Sequence, residues 1–408
     1  MGVQRINASQ GNVVPLGSQS VGTQEVSTMI KIPGTHSAAP PISCILRNDT
    51  KEARITMTEA SLELGKEDPP KGEELLIEKI LTNSQRSMEH KPHPPTLRDQ
   101  HPKSHGYVEG EFTVEENIPD DFKVGVFTRP KTYPVWIRFS NGGSDRDQAG
   151  NFLPDTVGDV RGMAIKLIGV EGAMAITDPA HQQEQDFILM NNPTFFLRDV
   201  QGYIDFAPVR KAITEKKITF NPDHTPNVPD ELQAQFRTIA YALTLVEKIR
   251  AKSVPSPLEI AYWSATPYRF GKTAMKFSVV PHPTGESFNP ETASDKNHYL
   301  REAMTKYLAS NDAYFDFKIQ LQKDAVTMPI EDPTTEWKEQ GSPFVKVATI
   351  KIPRQDFNTT DRKQLDEKQS FSPWHALLEH QPLGGVNRAR KIYVELAKIR
   401  NKINQGTT

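Results

Sequence analysis

The sequence has little cysteine, little net charge and no long apolar segment. Its 408 residues include one cysteine, Cys44, which excludes an internal disulfide and a zinc or iron–sulfur site built from cysteines. With 49 Lys and Arg residues against 51 Asp and Glu residues, the formal net charge is −2, which argues against nucleic-acid binding through phosphate contacts. No apolar run approaches the ~18 residues of a membrane span. These absences predict a protein without a transmembrane segment, and the scarcity of cysteine favours the cytoplasm.

The N-terminal part of the chain is rich in Ser, Thr, Gly, Asn and Gln and holds few charged or aromatic residues. A segment of this composition buries too little apolar surface to form a core. We therefore expect a flexible extension over residues 1–70 and one folded domain over residues 71–405. That length is within the range of β-barrel domains that carry additional helices.

Much of the expected domain alternates between apolar and polar residues, as half-buried strands do. In Tyr314–Gln322, for example, Phe315, Phe317 and Ile319 alternate with polar residues, which is the two-residue period of a strand. The other segments with a strand pattern are Gly106–Thr113, Tyr133–Ser140, Val160–Ile168, Asp186–Met190, Glu259–Thr266, Ala274–Val280 and Phe344–Ile350.

Helical patterns lie before, between and after the strand patterns, at Gly72–Leu81, Asp230–Lys252, Lys296–Leu308 and Gly384–Ile403. Strands and helices therefore do not alternate regularly, as a parallel α/β sheet would require. This order predicts an α+β fold, in which about eight antiparallel strands form a barrel or sandwich with helices packed on it.

Histidines are concentrated in the segment that precedes the first predicted strand. The cluster consists of His90, His93, His101 and His105. Because imidazole titrates near neutrality and is a common metal ligand, the cluster indicates metal binding or acid–base chemistry. A solvated, proline-rich connector is the alternative. Within the cluster, Arg98, His101, Lys103 and Gly106 form the motif R-x-x-H-x-K-x-x-G immediately before a strand.

Two further motifs place charged residues on strands. The strand P-V-W-I-R-F-S carries Arg138 among aromatic residues, and a buried guanidinium needs an anionic partner. An arginine at a strand edge that faces water is the alternative. The second motif, D-T-V-G-D-V-R-G-M-A-I-K, leads into the next strand and on its own is also compatible with a cluster of loop salt bridges.

The C-terminal helix pattern places Arg390, Tyr393, Ala397 and Arg400 on one face of a helix that follows Gly384 and Gly385. A guanidinium one turn from Tyr393 would stabilise its phenolate, and a phenolate is a good ligand for ferric iron. Arg400 would then be placed to meet an anion such as a haem propionate. A surface tyrosine in a basic helix is the alternative.

Four motifs in a fixed order resemble the core of haem catalases. They are R-x-x-H-x-K-x-x-G, P-V-W-I-R-F-S, D-T-V-G-D-V-R-G-M-A-I-K and N-N-P-T-F-F-L-R-D. The resemblance extends to smaller catalase-like relatives, among them allene oxide synthases. It is clear from Arg98 to Tyr203 and covers the rest only through the C-terminal helix. It implies an antiparallel eight-stranded β-barrel, a C-terminal helix that ligates haem, and ferric haem b as the cofactor.

The residues that would act on a peroxide follow from this resemblance. His101 resembles the distal histidine, which takes a proton from one peroxide oxygen and returns it to the other. Ser140 would orient that imidazole through a hydrogen bond, and Asn191 resembles the distal asparagine. Because N-N-P-T-F-F is one residue shorter than the usual spacing, Asn192 is an alternative to Asn191.

The residues that would hold the cofactor are implied in the same way. Arg98, Arg138 and Arg400 resemble the arginines that bind the haem propionates. Tyr393 resembles the axial ligand, and its seven-residue interval to Arg400 fits the family. Tyr203 lies where the family has an aromatic residue over the haem.

The chain departs from the family at two places. The proximal arginine of the family lies four residues before the axial tyrosine, where this chain has Ala389, so Arg390 or Arg388 must replace it. Gln100 precedes the distal histidine, where catalases have a small apolar residue. We expect the Gln100 amide to bond a distal water or the peroxide, which would favour organic hydroperoxides over hydrogen peroxide.

The resemblance predicts a haem-dependent, catalase-like oxidoreductase that acts on small-molecule peroxides or lipid hydroperoxides. An authentic catalase that dismutates hydrogen peroxide is one alternative, and a haem-binding protein without catalysis is another. A non-haem metal bound by the histidines from His90 to His105 is a third. The sequence is compatible with a homo-oligomer. It does not determine whether NADPH binds.

Overall fold

A closed antiparallel β-barrel forms the centre of the protein in the computed structural model, which describes residues 63–89, 96–98, 100–143, 150–221, 226–283 and 285–405. Most of the expected N-terminal extension, residues 1–62, lies outside the described residues, as do His90 and His93. The strands are β1 (Ser104–Val114), β2 (Thr132–Asn141), β3 (Arg161–Ile168), β4 (Glu184–Met190), β5 (Thr219–Phe220), β6 (Pro226–Asn227), β7 (Tyr262–Trp263), β8 (Tyr268–Phe270), β9 (Thr273–Pro281), β10 (Ala313–Leu321) and β11 (Val345–Ile352).

The main sheet has the strand order β10-β11-β1-β2-β3-β4-β7-β9-β8, and an additional pairing of β10 with β9 closes eight of these strands into a barrel. Each of these pairings is antiparallel. The short strand β8 extends the sheet at β9, and β5 and β6 form a separate two-stranded sheet. The predicted eight-stranded antiparallel barrel and the α+β class are confirmed.

The barrel interior is filled by aromatic side chains that alternate along the strands. In β10, Phe315, Phe317 and Ile319 are fully buried, while the residues between them are partly exposed. The Phe187 ring of β4 reaches the Phe317 ring across the interior, with ring centroids 4.8 Å apart. The two-residue period read from the sequence therefore separates barrel interior from exterior.

Helices surround the barrel. They are α1 (Glu73–Glu89), α2 (Val200–Thr214), α3 (Gln233–Arg250), α4 (Tyr299–Leu308), α5 (Thr360–Lys368), α6 (Gly385–Ala389) and α7 (Ile392–Gln405). The first predicted helix is longer than expected, because Met88 at its end packs with Ile392 and Leu396 of α7. Among the helices of the described ranges, none is both long and apolar enough to cross a membrane.

The predicted continuous helix over Gly384–Ile403 is in fact two helices. The helix α6 ends at Ala389, and Arg390 and Lys391 form a turn before α7 begins at Ile392. Arg390 therefore does not share a helix with Tyr393, whereas Tyr393 and Arg400 both lie on α7. The prediction that Arg390 and Tyr393 lie on one face of a single helix is therefore wrong at this turn.

The folded domain also begins earlier than predicted. The Gly65 backbone donates a hydrogen bond to Gln322, and the Asp68 backbone donates one to Glu331. The Glu67 carboxylate accepts a hydrogen bond from the Gly384 backbone. These bonds join residues assigned to the flexible extension to the barrel and to the start of α6, so the boundary at residue 71 is too late.

Candidate active site

His101 is held in a fixed position just before β1. Its backbone has a φ of +56°, a left-handed conformation that is uncommon for a residue with a side chain. The His101 amide donates a hydrogen bond to the Gly142 carbonyl over 3.4 Å, and the His101 carbonyl accepts one from Arg138 Nη1 over 2.9 Å. Such strained backbone persists where the surroundings determine it and is frequent at functional sites.

The imidazole of His101 is oriented by its neighbours on β2 and β3. Nδ1 lies 3.0 Å from Ser140 Oγ, and the ring lies over Gly162, where a β-carbon would stand 2.5 Å from Cε1. Burial, together with the charges of Arg138 and Arg390, lowers the pKa of His101 to about 3. The imidazole is therefore neutral at physiological pH and able to accept a proton. The predicted contact between His101 and Ser140 is present.

Asn191 lies at the end of β4, directly beside the strand that carries Gly162. Its side-chain oxygen accepts a hydrogen bond from the Arg161 amide over 2.9 Å, which leaves the side-chain NH₂ group as the donor for a substrate. Asn192 has other partners: its NH₂ group donates to Thr194, and its oxygen accepts from Lys252. Asn191 is therefore the better candidate for the distal asparagine.

Three buried guanidiniums meet around the end of α5. Arg138 Nε donates to Asp366 Oδ1 over 2.7 Å. Arg98 donates to the carbonyls of Asp366 and Gln369, and Arg400 donates to the carbonyl of Glu367. The structure thus brings together Arg98, Arg138 and Arg400 from three distant parts of the chain.

This arginine cluster has more positive than negative charge. Asp366 is a buried carboxylate within it, whereas the side chain of Glu367 is 46 % exposed. Burial and the charges of Arg138 and Arg400 lower the pKa of Arg98 to about 9. Two buried donors, Nη2 of Arg138 and Nε of Arg400, have no hydrogen-bond partner among the described residues. The arginine cluster is therefore suited to an additional carboxylate.

Tyr393 lies at the start of α7, where it is partly buried against α1. Its hydroxyl and the guanidinium of Arg390 are both hydrogen-bonding partners of Tyr203, and burial raises the pKa of that tyrosine despite both contacts. Arg390 is fixed by Thr266 and Asn387 through Nη1, at 3.3 and 3.2 Å. It also lies 4.7 Å from the centre of the Phe195 ring.

The structure shows the partners of Tyr203 and of Arg388. The resemblance places Tyr203 over the haem, which stays a prediction, and the Tyr203 hydroxyl bonds Tyr393 and Arg390. Arg388 does not replace the proximal arginine, because its guanidinium is bound by three carboxylates, those of Glu67, Glu73 and Glu331. Arg390 is therefore the charge that lies near the two tyrosines.

His105 does not share the partners of His101. Gln100, directly before His101, is an exposed residue, and the bond from its amide to a distal water or peroxide stays a prediction. The His105 ring is buried, with Nε2 2.6 Å from Asn141 Oδ1. Its Nδ1 lies 3.7 Å from Asp155, which Lys103 also contacts. His101 and His105 thus have separate partners, which argues against a shared metal.

Two residues of the site were missed as such. Asp366 is the partner of Arg138, but 228 residues separate the two, and the only sequence signal was that a buried arginine needs an anion. Gly162 was noted within a motif without a role. Its contact with the His101 ring explains why a side chain is excluded there.

Comparison with known proteins agrees with this geometry. The catalase family model matches residues 49–252, which is half of the chain. The chain therefore belongs to the catalase family.

Individual relatives are distant. Catalase A of Emericella nidulans is 25% identical over 260 residues, which are 60% of this chain and 32% of that protein. The catalase of Pseudomonas syringae pv. syringae is 30% identical over 124 residues, 30% of this chain and 19% of that protein. The match thus covers a third or less of either relative.

Solved structures show the same fold. The crystal structure of a fungal catalase has a TM-score of 0.57 at 18% identity and covers 85% of this chain and 66% of that chain. Catalase A from Saccharomyces cerevisiae has a TM-score of 0.55 at 19% identity, with 85% and 68% covered.

Members of the catalase family generally bind haem, and the residues of this chain fit one. The unpaired donors of Arg138 and Arg400 match the carboxylates of a porphyrin. Tyr393 offers an oxygen ligand, and Arg390 supplies positive charge beside the linked Tyr203 hydroxyl. His101 presents a neutral imidazole near the same arginines.

Proposed function

We propose that this chain is a haem-dependent oxidoreductase that acts on peroxides and holds ferric haem b through Tyr393. The observation that carries the proposal is the neutral imidazole of His101, fixed at Nδ1 by Ser140 and by the Arg138 bond to its carbonyl. A neutral, positioned imidazole is what proton transfer to and from a peroxide requires.

The cofactor would be held at two places. The Tyr393 oxygen would bind the iron, and the positive charge of Arg390 would act on the hydrogen-bonded pair of tyrosines. The unpaired donors of Arg138 and Arg400 would bind the propionates, together with Arg98. When bound, the haem supplies the iron at which the O–O bond of a peroxide is cleaved.

His101 moves the proton. With Nδ1–H donated to Ser140 Oγ, Nε2 carries the lone pair, and it accepts a proton from one peroxide oxygen and returns it to the other. The NH₂ group of Asn191 orients the peroxide, since the oxygen of that amide is already bonded to the Arg161 amide. Arg138 keeps the His101 backbone in place while the ring acts.

Both hydrogen peroxide and an organic hydroperoxide are substrates to test. A preference for organic hydroperoxides would depend on Gln100, which is exposed directly before His101. Dismutation of hydrogen peroxide, which the names of the relatives indicate for those proteins, stands beside hydroperoxide cleavage as a candidate reaction.

The test is a parallel assay of the haem-loaded full chain with hydrogen peroxide and a fatty-acid hydroperoxide. We expect turnover of at least one of them, and His101→Ala should keep the haem spectrum but lower turnover by about 10²–10⁴-fold. The control is His298→Ala, because His298 is exposed and its ring pairs with the nearby Asp295. Bound haem without turnover of either peroxide would instead indicate a haem-binding protein without catalysis.

A further inference from the structure

A cavity of about 130 Å³ lies against the outer face of the barrel, and no residue used by the proposed function lines it. Lys276 of β9 and Gln320 of β10 are both in its wall and are paired directly across the sheet. They alternate with Phe277 and Ile319, whose side chains belong to the core of the barrel. Lys276 and Gln320 therefore point outward, where the segment between β10 and β11 covers them.

The amine of Lys276 is enclosed by that segment. Lys276 is only 3 % exposed, and its Nζ donates a hydrogen bond to the Thr335 carbonyl over 3.2 Å. Nζ also lies 5.1 Å from the centre of the Trp337 ring, and Trp337 lines the same cavity. Among the described residues, the amine has no ion-pair partner. An ammonium in this position lacks a counter-ion, and burying an unpaired charge is costly.

The protonation state of Lys276 reflects this environment. Burial lowers the pKa of Lys276 to about 7, although the charges of Asp332 and Glu336 act in the opposite direction. About half of these side chains are therefore neutral at pH 7, compared with about one in 2500 for a lysine with the ordinary pKa of about 10.4. A neutral amine carries a lone pair, and a lysine desolvated in a largely apolar pocket is a nucleophile towards carbonyl carbon.

The cavity suits a small apolar molecule. Its wall contains the aromatic residues Trp263, Trp337 and Phe344. An apolar cavity of about 150 Å³ in another protein holds a benzene molecule. A ligand of about six non-hydrogen atoms is therefore of the right size for this cavity.

The charges at the cavity favour an uncharged ligand. The exposed residues Glu336 and Glu339 also line the cavity. Glu336 is paired with Lys338, but both side chains of that pair are largely exposed, so the pairing is weak. A negatively charged ligand would meet these carboxylates, and the partly neutral Lys276 would attract it little.

We propose that Lys276 binds small apolar aldehydes as a reversible imine. Its Nζ forms a C–N bond with the carbonyl carbon, and the carbonyl oxygen leaves as water together with the two protons of the neutral amine. No electrons are gained or lost, so the step needs no oxidant or reductant. The alkyl chain of the aldehyde lies among the aromatic residues of the wall, where its burial stabilises the imine.

The test is reductive trapping of pentanal on the haem-loaded full chain at pH 7. Cyanoborohydride converts an imine into a stable secondary amine, and mass spectrometry of the digested protein locates the pentyl group. We expect Lys276 to be labelled about 10-fold or more faster than any other lysine, because a far larger share of it is neutral. Lys272→Met is the matched control, since Lys272 is an exposed lysine four residues earlier, and labelling of Lys276 should be unchanged in that variant.

Two variants test the position itself. Lys276→Met replaces the buried amine by an apolar side chain and should abolish the preferred label, while circular dichroism and the haem spectrum show that the chain is folded. Lys276→Arg keeps a cation beside Trp337 but cannot form an imine, so it serves if the first variant unfolds. If neither variant folds, the location of the label in the unaltered chain decides the question. A label spread over exposed lysines with Lys276 unmodified, or an equal label in Lys276→Met, overturns the proposal. Neither result depends on peroxide turnover.

Discussion

The imidazole of His101 lies against the α-carbon of Gly162, so close that a β-carbon at position 162 would stand 2.5 Å from Cε1 and 2.6 Å from Nδ1 of the ring. Ser140 Oγ would lie 3.2 Å from the same β-carbon. Gly162 of β3 has no side chain, which leaves room for the ring of His101, the proposed catalytic histidine. The hydroxyl of Ser140 on β2 sets the orientation of that ring.

Gly162→Ala should displace the imidazole while leaving the cofactor in place. We expect unchanged haem content and a loss of peroxide turnover of about 10²-fold, which a displacement of about 1 Å is able to cause. The matched control is Gly202→Ala, since a β-carbon there would meet Leu197 at an ordinary 3.4 Å. Full turnover by Gly162→Ala would show that the position of the ring is not critical.

Arg400→Gln should weaken haem binding more than it affects folding. The change removes one of the three guanidiniums and the unpaired Nε donor. A hydrogen bond to a charged group contributes about 1.5–3 kcal/mol, so we expect haem affinity to fall by about 10-fold or more. Titration with haem measures it, and Arg354→Gln at the surface is the control. Equal affinity in both variants would exclude Arg400 from the propionate site.

Acid should destabilise the fold through its buried neutral histidines. Burial lowers the pKa of His105 to about 3 and that of His380 to about 4, whereas a histidine in the unfolded chain has a pKa of about 6.5. Between these values only the unfolded chain binds the protons. The free energy of unfolding therefore falls as the pH drops below about 6.5, by about 1.4 kcal/mol per pH unit for each histidine.

Urea unfolding at pH 6 and pH 5 tests this linkage with His105→Gln. In the variant, the free energy of unfolding should change with pH by about 1.4 kcal/mol per pH unit less than in the unaltered protein. This holds whatever the stability of the variant at pH 7. An unaltered slope would mean that His105 titrates in the folded protein as it does in the unfolded chain.

Arg388→Ala should unfold the protein at a lower denaturant concentration without acting on the peroxide chemistry directly. It leaves the carboxylates of Glu67, Glu73 and Glu331 facing one another without their cation. Removing one partner of a fully buried ion pair costs about 3–5 kcal/mol. This set is partly exposed, so the loss should be smaller. The additional change Glu331→Gln should recover part of the loss, since it removes one unpaired charge. A single variant as stable as the parent would contradict this role.

The barrel could be predicted from the sequence because its signal is local. Alternation within each strand is enough to place β1, β2, β3, β9, β10 and β11 near their observed positions. The bounds of strands and helices were predicted less well where they depend on contacts with residues distant in the sequence. The strand expected over Glu259–Thr266 is reduced to Tyr262–Trp263, and α2 forms although it contains Pro208.

Within the site, the motifs located the candidate residues but not their partners. The contact of His101 with Ser140 followed from the resemblance, whereas Asp366 as the partner of Arg138 depends on a pairing over 228 residues. The turn at Arg390 interrupts a pattern that reads as one helix, so the position of that charge relative to Tyr393 could not be obtained from helical spacing.

The absorption spectrum of the haem-reconstituted protein tests the central claim most directly, when the unaltered chain is compared with Tyr393→Phe. We predict one ferric haem per chain in the unaltered protein, and in the variant a clear fall in haem occupancy or a shifted ferric spectrum, because the axial oxygen is removed. Tyr203→Phe, which alters only the neighbouring hydroxyl, should retain its haem. An identical ferric spectrum and full occupancy in Tyr393→Phe would contradict the account, since another residue would then hold the iron.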